Sequence, residues 1–371
     1  MNVDGWKRRG RAALLAVLLP APVHASAAEW RQAKPGWQYD FPRDHHVHRD
    51  FKTEWWYFTG NLFSGGRRFG YEVTFFREGV RPAGERDSQA SRFLVDDVKF
   101  AHFSVTDAAG RKFHFLEKTS RGAFGEAGFG EADEIAWIDS WKLRMTRGGA
   151  SFHIEADSAE CGISLDLKPR KRPAIHGMDG VSAKASDASH ASHYYSIPRL
   201  TSEGEVRVGA EKFEVHGESW FDHEWATNQL APEEAGWNWL CVQWDDGSEL
   251  MLYNMRLENG GIEPSSSGKI IAPDGATTHL ASSDFAMQPM REWQSPKSKA
   301  RYPVRWRVTI PMRGLDFTIT PVLENQELYL GPLTYWEGAI DCAGRAGATQ
   351  LKGRGYLELT GYAGALPGLS R

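Results

Sequence analysis

The chain has 371 residues, a quarter of them charged, and a formal net charge of −4, which offers no basic surface for nucleic acid and suggests two domains at about 150 residues each. Fifteen Trp and 19 Phe are an unusual complement, and rings at this density either fill cores or line a pocket for a large apolar ligand. Cys161, Cys241 and Cys342 are too few for a disulfide scaffold, so packing rather than stapling is expected to hold the fold.

The first segment reads as an export signal at residues 1–27: basic Lys7, Arg8, Arg9 and Arg11, an apolar run from Ala12 to Leu19, and small residues at Ala25-Ser26-Ala27. Cleavage after Ala27 leaves 344 of the 371 residues, and losing four basic side chains and Asp4 takes the charge from −4 to −7. No later window approaches the roughly 20 apolar residues of a membrane-spanning helix. No cysteine lies near the cleavage point to carry a lipid. The expectation is a soluble periplasmic or secreted protein with no transmembrane segment.

Asp44-His45-His46-Val47-His48 follows, then Asp50 and Glu54-Trp55-Trp56-Tyr57. On a strand, His46 and His48 would share one face, the arrangement in which two imidazoles reach one metal. A third ligand would have to come from elsewhere. No metal is expected, with the imidazoles hydrogen-bonding or covering a barrel mouth instead. Two readings of Glu54 stand. Beside two Trp and a Tyr it would be desolvated, its pKa raised toward that of a general acid; alternatively it pairs with Arg or His in a core.

From there the chain alternates with period two. Phe69, Tyr71, Val73 and Phe75 form one such series; Ile163, Leu165 and Leu167, and Phe213 and Val215, form others; the clearest is Tyr302, Val304, Trp306, Val308 and Ile310, followed by Leu315, Phe317 and Ile319. Turn signals separate them at Ser64-Gly65-Gly66, Asp107 to Gly110, Gly148-Gly149, Asp245-Asp246-Gly247, Asn259-Gly260-Gly261 and Asp274-Gly275. No stretch has helical periodicity beyond a turn or two. The fold class is all-β, with antiparallel strands in barrels or sandwiches. A polar stretch from Lys171 to His193 interrupts the first half and reads as a mobile excursion or a lid.

A second constellation, Trp220-Phe221-Asp222-His223-Glu224-Trp225, follows a good strand. Three adjacent titratable residues among aromatics suit proton transfer in an apolar pocket. The rival reading is a structural joint between domains. Trp237-Asn238-Trp239 and Gln243-Trp244 could wall the same cavity, and Trp336-Glu337 is a smaller version of the pairing. Ser219 lacks the second glycine of a nucleophile elbow, and Gly125 to Gly130 does not have phosphate-loop spacing, so no nucleotide or other cofactor is expected. The halves echo each other. Glu54-Trp55 with Tyr71 to Arg77 matches Glu224-Trp225 with Leu250 to Arg256; the Asp107–Gly110 hairpin matches that at Asp274-Gly275; Phe213 to Gly217 matches Tyr356 to Gly361. Two related β domains are expected, at 28–225 and 226–371.

Asp44-His45, Thr53 to Gly60, Gly70 to Arg77, Ala101 to Asp107 with His102, Tyr194 to Ser196, Trp220 to Trp225 and Tyr335 to Gly338 together resemble the AttH-like family, also called the hydroxyneurosporene synthase or carotenoid 1,2-hydratase family, from about Phe41 to Tyr362. The resemblance implies two tandem lipocalin-like antiparallel β-barrels. Barrels of this size hold a small apolar ligand. It also implies activity on isoprenoid or prenyl double bonds, or the hydrolase activity with which bacterial members are described. Fungal relatives guide pericyclic ring closures. In the carotenoid branch it associates catalysis with a His-x-Trp element, matched by His223-Glu224-Trp225, and a Tyr-x-Asp element. Here Tyr253-Asn254-Met255 keeps only the Tyr. The acid would then come from Asp222, Glu224 or Glu54.

Two functions follow. As an enzyme, a carotenoid hydratase-like C–O lyase or a secreted hydrolase, the protein would protonate an isoprenoid or lipid-like substrate from Asp222, His223, Glu224 or Glu54. Trp55, Trp56, Tyr57, His102, Trp225, Trp237, Trp239, Tyr253, Trp336 and Glu337 would line the ligand. As a carrier, it would pass the same ligand to an envelope transporter, a partner the resemblance implies because some relatives lie beside transporter permeases.

Overall fold

The computed structural model describes residues 29–86, 91 and 93–365; the expected export signal lies outside the described residues. Among the described residues there is no α-helix, only 3₁₀ turns, and so no helix long and apolar enough to cross a membrane. The first half contains β1 (Thr53–Ser64), β2 (Arg67–Gly79), β3 (Asp97–Asp107), β4 (Lys112–Ser120), β5 (Ala127–Phe129), β6 (Glu134–Ile138), β7 (Trp141–Thr146), β8 (Ser151–Asp157), β9 (Cys161–Pro169), the short β10 (Ala174–Ile175) and β11 (Ser182–Ala183), β12 (Ala191–Val208) and β13 (Glu211–Ala226). The second contains β14 (Glu234–Trp244), β15 (Glu249–Leu257), β16 (Ser267–Ile271), β17 (Thr277–Ala281), β18 (Ala286–Gln294), β19 (Arg301–Ile310), β20 (Leu315–Pro321), the short β21 (Glu327–Leu328), β22 (Tyr335–Ala346) and β23 (Thr349–Leu359).

Each half is one antiparallel sheet, ordered β4-β3-β2-β1-β13-β12-β9-β8-β7-β6-β5 and β17-β16-β15-β14-β23-β22-β20-β19-β18. These are two lipocalin-like barrels in tandem. In the first, β3 and β4 pack against β6, so the sheet curls back on itself. The alternating series all lie on strands, and each named turn signal sits at a strand end. On β19, Tyr302, Val304, Trp306, Val308 and Ile310 are buried in the second core with Phe317 and Ile319 of β20. The first core holds Trp56, Phe58, Trp141, Phe152, Phe221 and Trp225; at about 1.5–3 kcal/mol for each large apolar side chain removed from water, these rings supply much of that barrel's stability. Cys161, Cys241 and Cys342 are buried free thiols.

The strand orders superpose β1 on β14, β2 on β15, the β3–β4 hairpin on β16–β17 and β13 on β23. Three of the expected echoes therefore fall on equivalent strands. The Glu54-Trp55 and Glu224-Trp225 match does not, because Glu224 lies on β13, paired directly against β1, with Trp55 opposite Glu224.

The central strands of the two sheets face each other. Gly70 on β2 makes the approach possible, since a Cβ there would stand 2.6 Å from the Ala339 Cβ and 2.9 Å from the Tyr356 hydroxyl. Polar ties cross the seam: Arg68 to Asp341 at 2.7 Å, Thr106 donating to Gln326 at 2.7 Å, and Gln243 donating to the Pro198 and Ser219 carbonyls at 2.9 Å each. The polar stretch after β9 is a clasp across this seam, not a mobile excursion. Lys171 donates to Glu249 and the Gly247 carbonyl at 2.6 Å, and Ser182 lies 2.9 Å from the Tyr253 hydroxyl.

Candidate active site

Alternation along β1 and β13 decides what each side chain sees. Trp55 and Tyr57 of β1, with Asp222 and Glu224 of β13, project between the barrels. Glu54, Trp56, His223 and Trp225 project the other way, toward the first barrel and its mouth. The three titratable neighbours Asp222, His223 and Glu224 therefore belong to two different sites.

Between the barrels lies a mainly apolar cavity of about 280 Å³. Trp55, Tyr57, Phe76, Phe100 and Tyr194 form its wall on the first sheet, and Trp237, Trp239, Tyr253, Met255 and Tyr335 its wall on the second. His102, Glu337, Glu358 and Lys184 also line it. Trp336 is not part of it, because it alternates with Tyr335 and Glu337 on β22 and so turns into the second core; Trp244 lies there too. Trp56 and Trp225 are in the first core for the same reason.

Asp222 is the most elaborately held group in the cavity. Tyr194 donates to its Oδ2 at 2.7 Å, the Trp220 indole donates to Oδ1 at 2.6 Å, and Ser196 also donates to Oδ1. Behind them the Trp239 indole donates to the Tyr194 hydroxyl at 3.0 Å, and His176 Nε2 stands 2.6 Å from Ser196. Burial outweighs these donors, and Glu224 adds repulsion, so the Asp222 pKa is pushed up to about 7. Glu224 is itself paired with Lys184 at 2.6 Å. The Lys184 ammonium sits 4.7 Å above the Tyr253 ring and 5.1 Å above Tyr194. Burial opposes the Lys184 charge, but Glu224 prevails and its pKa rises.

Lys184, Tyr194, Glu358 and Glu72 are not singled out as site residues by the sequence, although Tyr194 and Glu72 lie inside motifs of the family resemblance. Glu358 accepts from the Trp237 indole at 2.8 Å, and burial, joined by repulsion from Asp222 and Glu224, lifts it to about 7. Glu72 of β2 is buried deeper and is lifted to about 8. The available signal was a carboxyl in mid-strand with apolar neighbours on both sides, as in Tyr71-Glu72-Val73 and Leu357-Glu358-Leu359. His102 donates or accepts between the Tyr335 hydroxyl at 2.7 Å and Glu117 at 3.2 Å, and burial lowers its pKa. The Tyr253 hydroxyl is committed, donating to the Ala183 carbonyl at 2.9 Å and accepting from Ser267 at 3.0 Å.

Glu54 belongs to the other cluster. His48 Nδ1 lies 2.7 Å and His223 Nε2 3.0 Å from Glu54 Oε1, the His48 amide donates to both oxygens, and Arg77 donates to Oε2 at 3.3 Å. Burial alone would raise its pKa; the two imidazoles and the guanidinium overcome that and hold it well below the usual carboxylate range. Of the two readings of Glu54, the structure fits the core carboxylate paired with His and Arg, held ionised at neutral pH, and not the desolvated general acid. His46 and His48 do not share a strand face, since Arg43–His45 is a 3₁₀ turn and the following residues are irregular. His46 turns to the Gly130 carbonyl instead, at 3.3 Å. His48, Glu54 and His223 do offer ligand atoms within 4.8 Å of one another, but they already bond each other, and Arg77 supplies the positive charge.

The model of the AttH-like family matches residues 32–362. Among solved structures, an AttH protein from Nitrosomonas europaea is 32% identical over 90% of this chain and 99% of its own, with a TM-score of 0.80. Kievitone hydratase from Nectria haematococca is 13% identical over 91% and 97% of the two chains, with a TM-score of 0.70. CghA bound to Sch210972 is 11% identical over 83% and 89%, with a TM-score of 0.52; these last two likenesses are of fold. No curated protein matches.

Proposed function

This chain belongs to the AttH-like family, and from that premise we propose that it adds water to a carbon–carbon double bond of an isoprenoid or prenyl-bearing compound bound between the barrels, with Asp222 as the acid. A hydratase among the structures of the same fold, kievitone hydratase, supports the reaction class. The observation that carries the proposal is Asp222 itself: a carboxyl 3% exposed, facing an apolar cavity, with a pKa of about 7. Alkene protonation needs an acid that keeps its proton near neutral pH and surroundings that steady the resulting cation. Oδ2 takes a single donor, from Tyr194, which leaves it a lone pair for that proton. The faces of Trp55, Trp237 and Trp239 supply the quadrupoles that attract positive charge. The cavity of about 280 Å³ lies at the lower edge of the roughly 300–1,000 Å³ range of ligand pockets, so it suits a prenyl arm or one end of a longer isoprenoid.

Neurosporene and a dimethylallyl-substituted phenol, incubated with the purified protein and analysed for alcohol by mass spectrometry, test this reading. Asp222→Asn should lower turnover by about 10²–10⁴-fold, and undiminished turnover would remove Asp222 from the mechanism. Met255 in the cavity wall, at the position where the family resemblance implies an acid, favours a second reading as a carrier. In that case native mass spectrometry would find apolar ligand retained by both proteins and alcohol from neither. Cell fractionation tests the accompanying proposal that the protein works outside the cytoplasm.

A further inference from the structure

Across the cavity from Asp222, three carboxyls converge. Glu337 of β22 and Glu358 of β23 are direct cross-strand partners, and Glu72 reaches toward them from β2 of the facing sheet. Glu72 and Glu337 are fully buried and Glu358 partly so; burial raises all three, Glu358 repels both of the others, and Glu337 is lifted well above the ordinary carboxyl range. Like charges this close cannot all ionise, so the group shares protons. Around them, Glu72 Oε2, Glu337 Oε1 and the hydroxyls of Tyr57, Ser104 and Tyr356 find no hydrogen-bond partner among the described residues. Tyr57 lies near enough to temper the Glu337 pKa but outside bonding geometry. Five buried polar atoms left without protein partners cost too much to be incidental. Water, which both donates and accepts, is the small polar species suited to such groups, each molecule bonding two to four of them.

We propose that Glu337 and Glu358, backed by Glu72, hold the water that attacks the substrate, and that Glu358 takes up its proton. This rests on the hydration reading and extends it to a second catalytic group. The Asp222 O–H bond breaks as a C–H bond forms at the less substituted alkene carbon, leaving a tertiary cation. The water oxygen supplies the electron pair of the new C–O bond, and its proton passes to the Glu358 carboxylate. Proton return from Glu358 to Asp222 restores both groups; the sum is one alkene and one water giving one alcohol, with no oxidant or reductant. Glu72, set behind Glu337, is a positioning residue.

Turnover of the dimethylallyl phenol in D₂O separates the two acids. With Glu358→Gln, which keeps an oxygen for the Trp237 indole, alcohol formation should fall about a hundredfold, while deuterium still enters the recovered alkene through reversible protonation. Asp222→Asn should lose both. Glu358→Gln that keeps alcohol formation, or that loses deuterium entry with it, overturns the proposal; Glu337→Gln, which changes a different strand, checks the same split. A high-resolution crystal structure of the full substrate-free protein judges the water independently of any activity. Water bonded to both Glu337 and Glu358 supports the proposal even if no probe is turned over, a result that would count against the hydration reading alone; direct carboxyl–carboxyl bonds with no water overturn it.

Discussion

Glu54 and Asp222 lie on neighbouring strands, opposite residues separated by only a few positions in the β1–β13 register, and both are buried. Their chemistry diverges completely. Glu54 faces His48, His223 and Arg77 and is held ionised; Asp222 faces neutral donors, rings and a like charge, and keeps its proton near neutral pH. Burial alone decides neither outcome. What matters is whether the buried carboxyl meets a formal positive charge, since a charge-assisted hydrogen bond is worth roughly twice a neutral one. One strand pair thus carries an ionised structural anchor on one face and, on the other, a carboxyl of raised pKa facing the cavity.

The sharpest break of this two-face arrangement is at adjacent tryptophans. Trp56 is fully buried in the first barrel, its indole donating to the His45 carbonyl at 2.9 Å, while Trp55 is half-buried in the cavity wall. Trp56→Ala should cost about 3–5 kcal/mol of stability, measured by chemical denaturation. Trp55→Ala should cost less than half as much and instead weaken binding of the apolar ligand. Equal losses from the two would contradict the opposed faces.

Tyr194→Phe acts on the acid directly. It removes a hydrogen bond to a carboxylate worth roughly 1.5–3 kcal/mol, so the Asp222 pKa should rise by about one unit or more. Because an acid catalyst fails as it loses its proton, the alkaline limb of the pH–rate profile should move upward by that amount. A downward movement would show that Asp222 is not the group titrating.

Stability against pH contrasts the two carboxyls more gently. Asp222 has a folded-state pKa raised from the ordinary range to about 7; the unfolded chain gives up this proton first, so its contribution is greatest below that range and is lost as pH rises toward 7. The stability of the native protein relative to Asp222→Asn should therefore fall by up to about 1.4 kcal/mol per pH unit across that interval. Glu54 has the opposite sign. Its folded-state pKa is depressed, so the stability of the native protein relative to Glu54→Gln should be level above the ordinary carboxylate range and fall as acid is added below it. Parallel slopes for the two pairs, in urea titrations at stepped pH, would refute the assigned charge states.

The strands were legible in the sequence wherever only one face is apolar. Tyr302 to Ile310 alternates cleanly because β19 has one face in the core and exposes Arg301, Arg305 and Arg307 on the other. The β1 run Trp55-Trp56-Tyr57-Phe58 has no such period, since one face packs a barrel interior and the other a second sheet. Aromatic-flanked motifs point to Asp222, Glu337 and Trp55, and Trp237-Asn238-Trp239 stands out by its spacing, but nothing in a doubly buried strand says which alternate set faces the cavity, so the same motifs bring in His223, Trp56, Trp225 and Trp336, which face away from it. Lys184 was hidden for a different reason. It comes from a polar stretch without periodicity, and its place is fixed only by the pairing of β11 with β12 and by Glu224.

The smallest expected effect probes the chain of donors behind the acid. The Trp239 indole donates to the Tyr194 oxygen at 3.0 Å, and Tyr194 donates onward to Asp222 at 2.7 Å. A donor that feeds a hydroxyl oxygen polarises its O–H bond and strengthens the next hydrogen bond in line. Trp239→Phe keeps an aromatic face for the cation but deletes that N–H, so the bond from Tyr194 to the carboxylate weakens and Asp222 becomes a slightly weaker acid. At about 1 kcal/mol or less for the lost bond, the alkaline limb should move upward by a few tenths of a pH unit, in the same direction as Tyr194→Phe and by a smaller amount. In the Trp239→Phe, Tyr194→Phe double variant the indole has no hydroxyl left to act through, and the two shifts should not add. Additive shifts would mean that Trp239 influences the acid by some route other than Tyr194, and the second barrel would then be a wall of the site rather than a participant in setting its proton affinity.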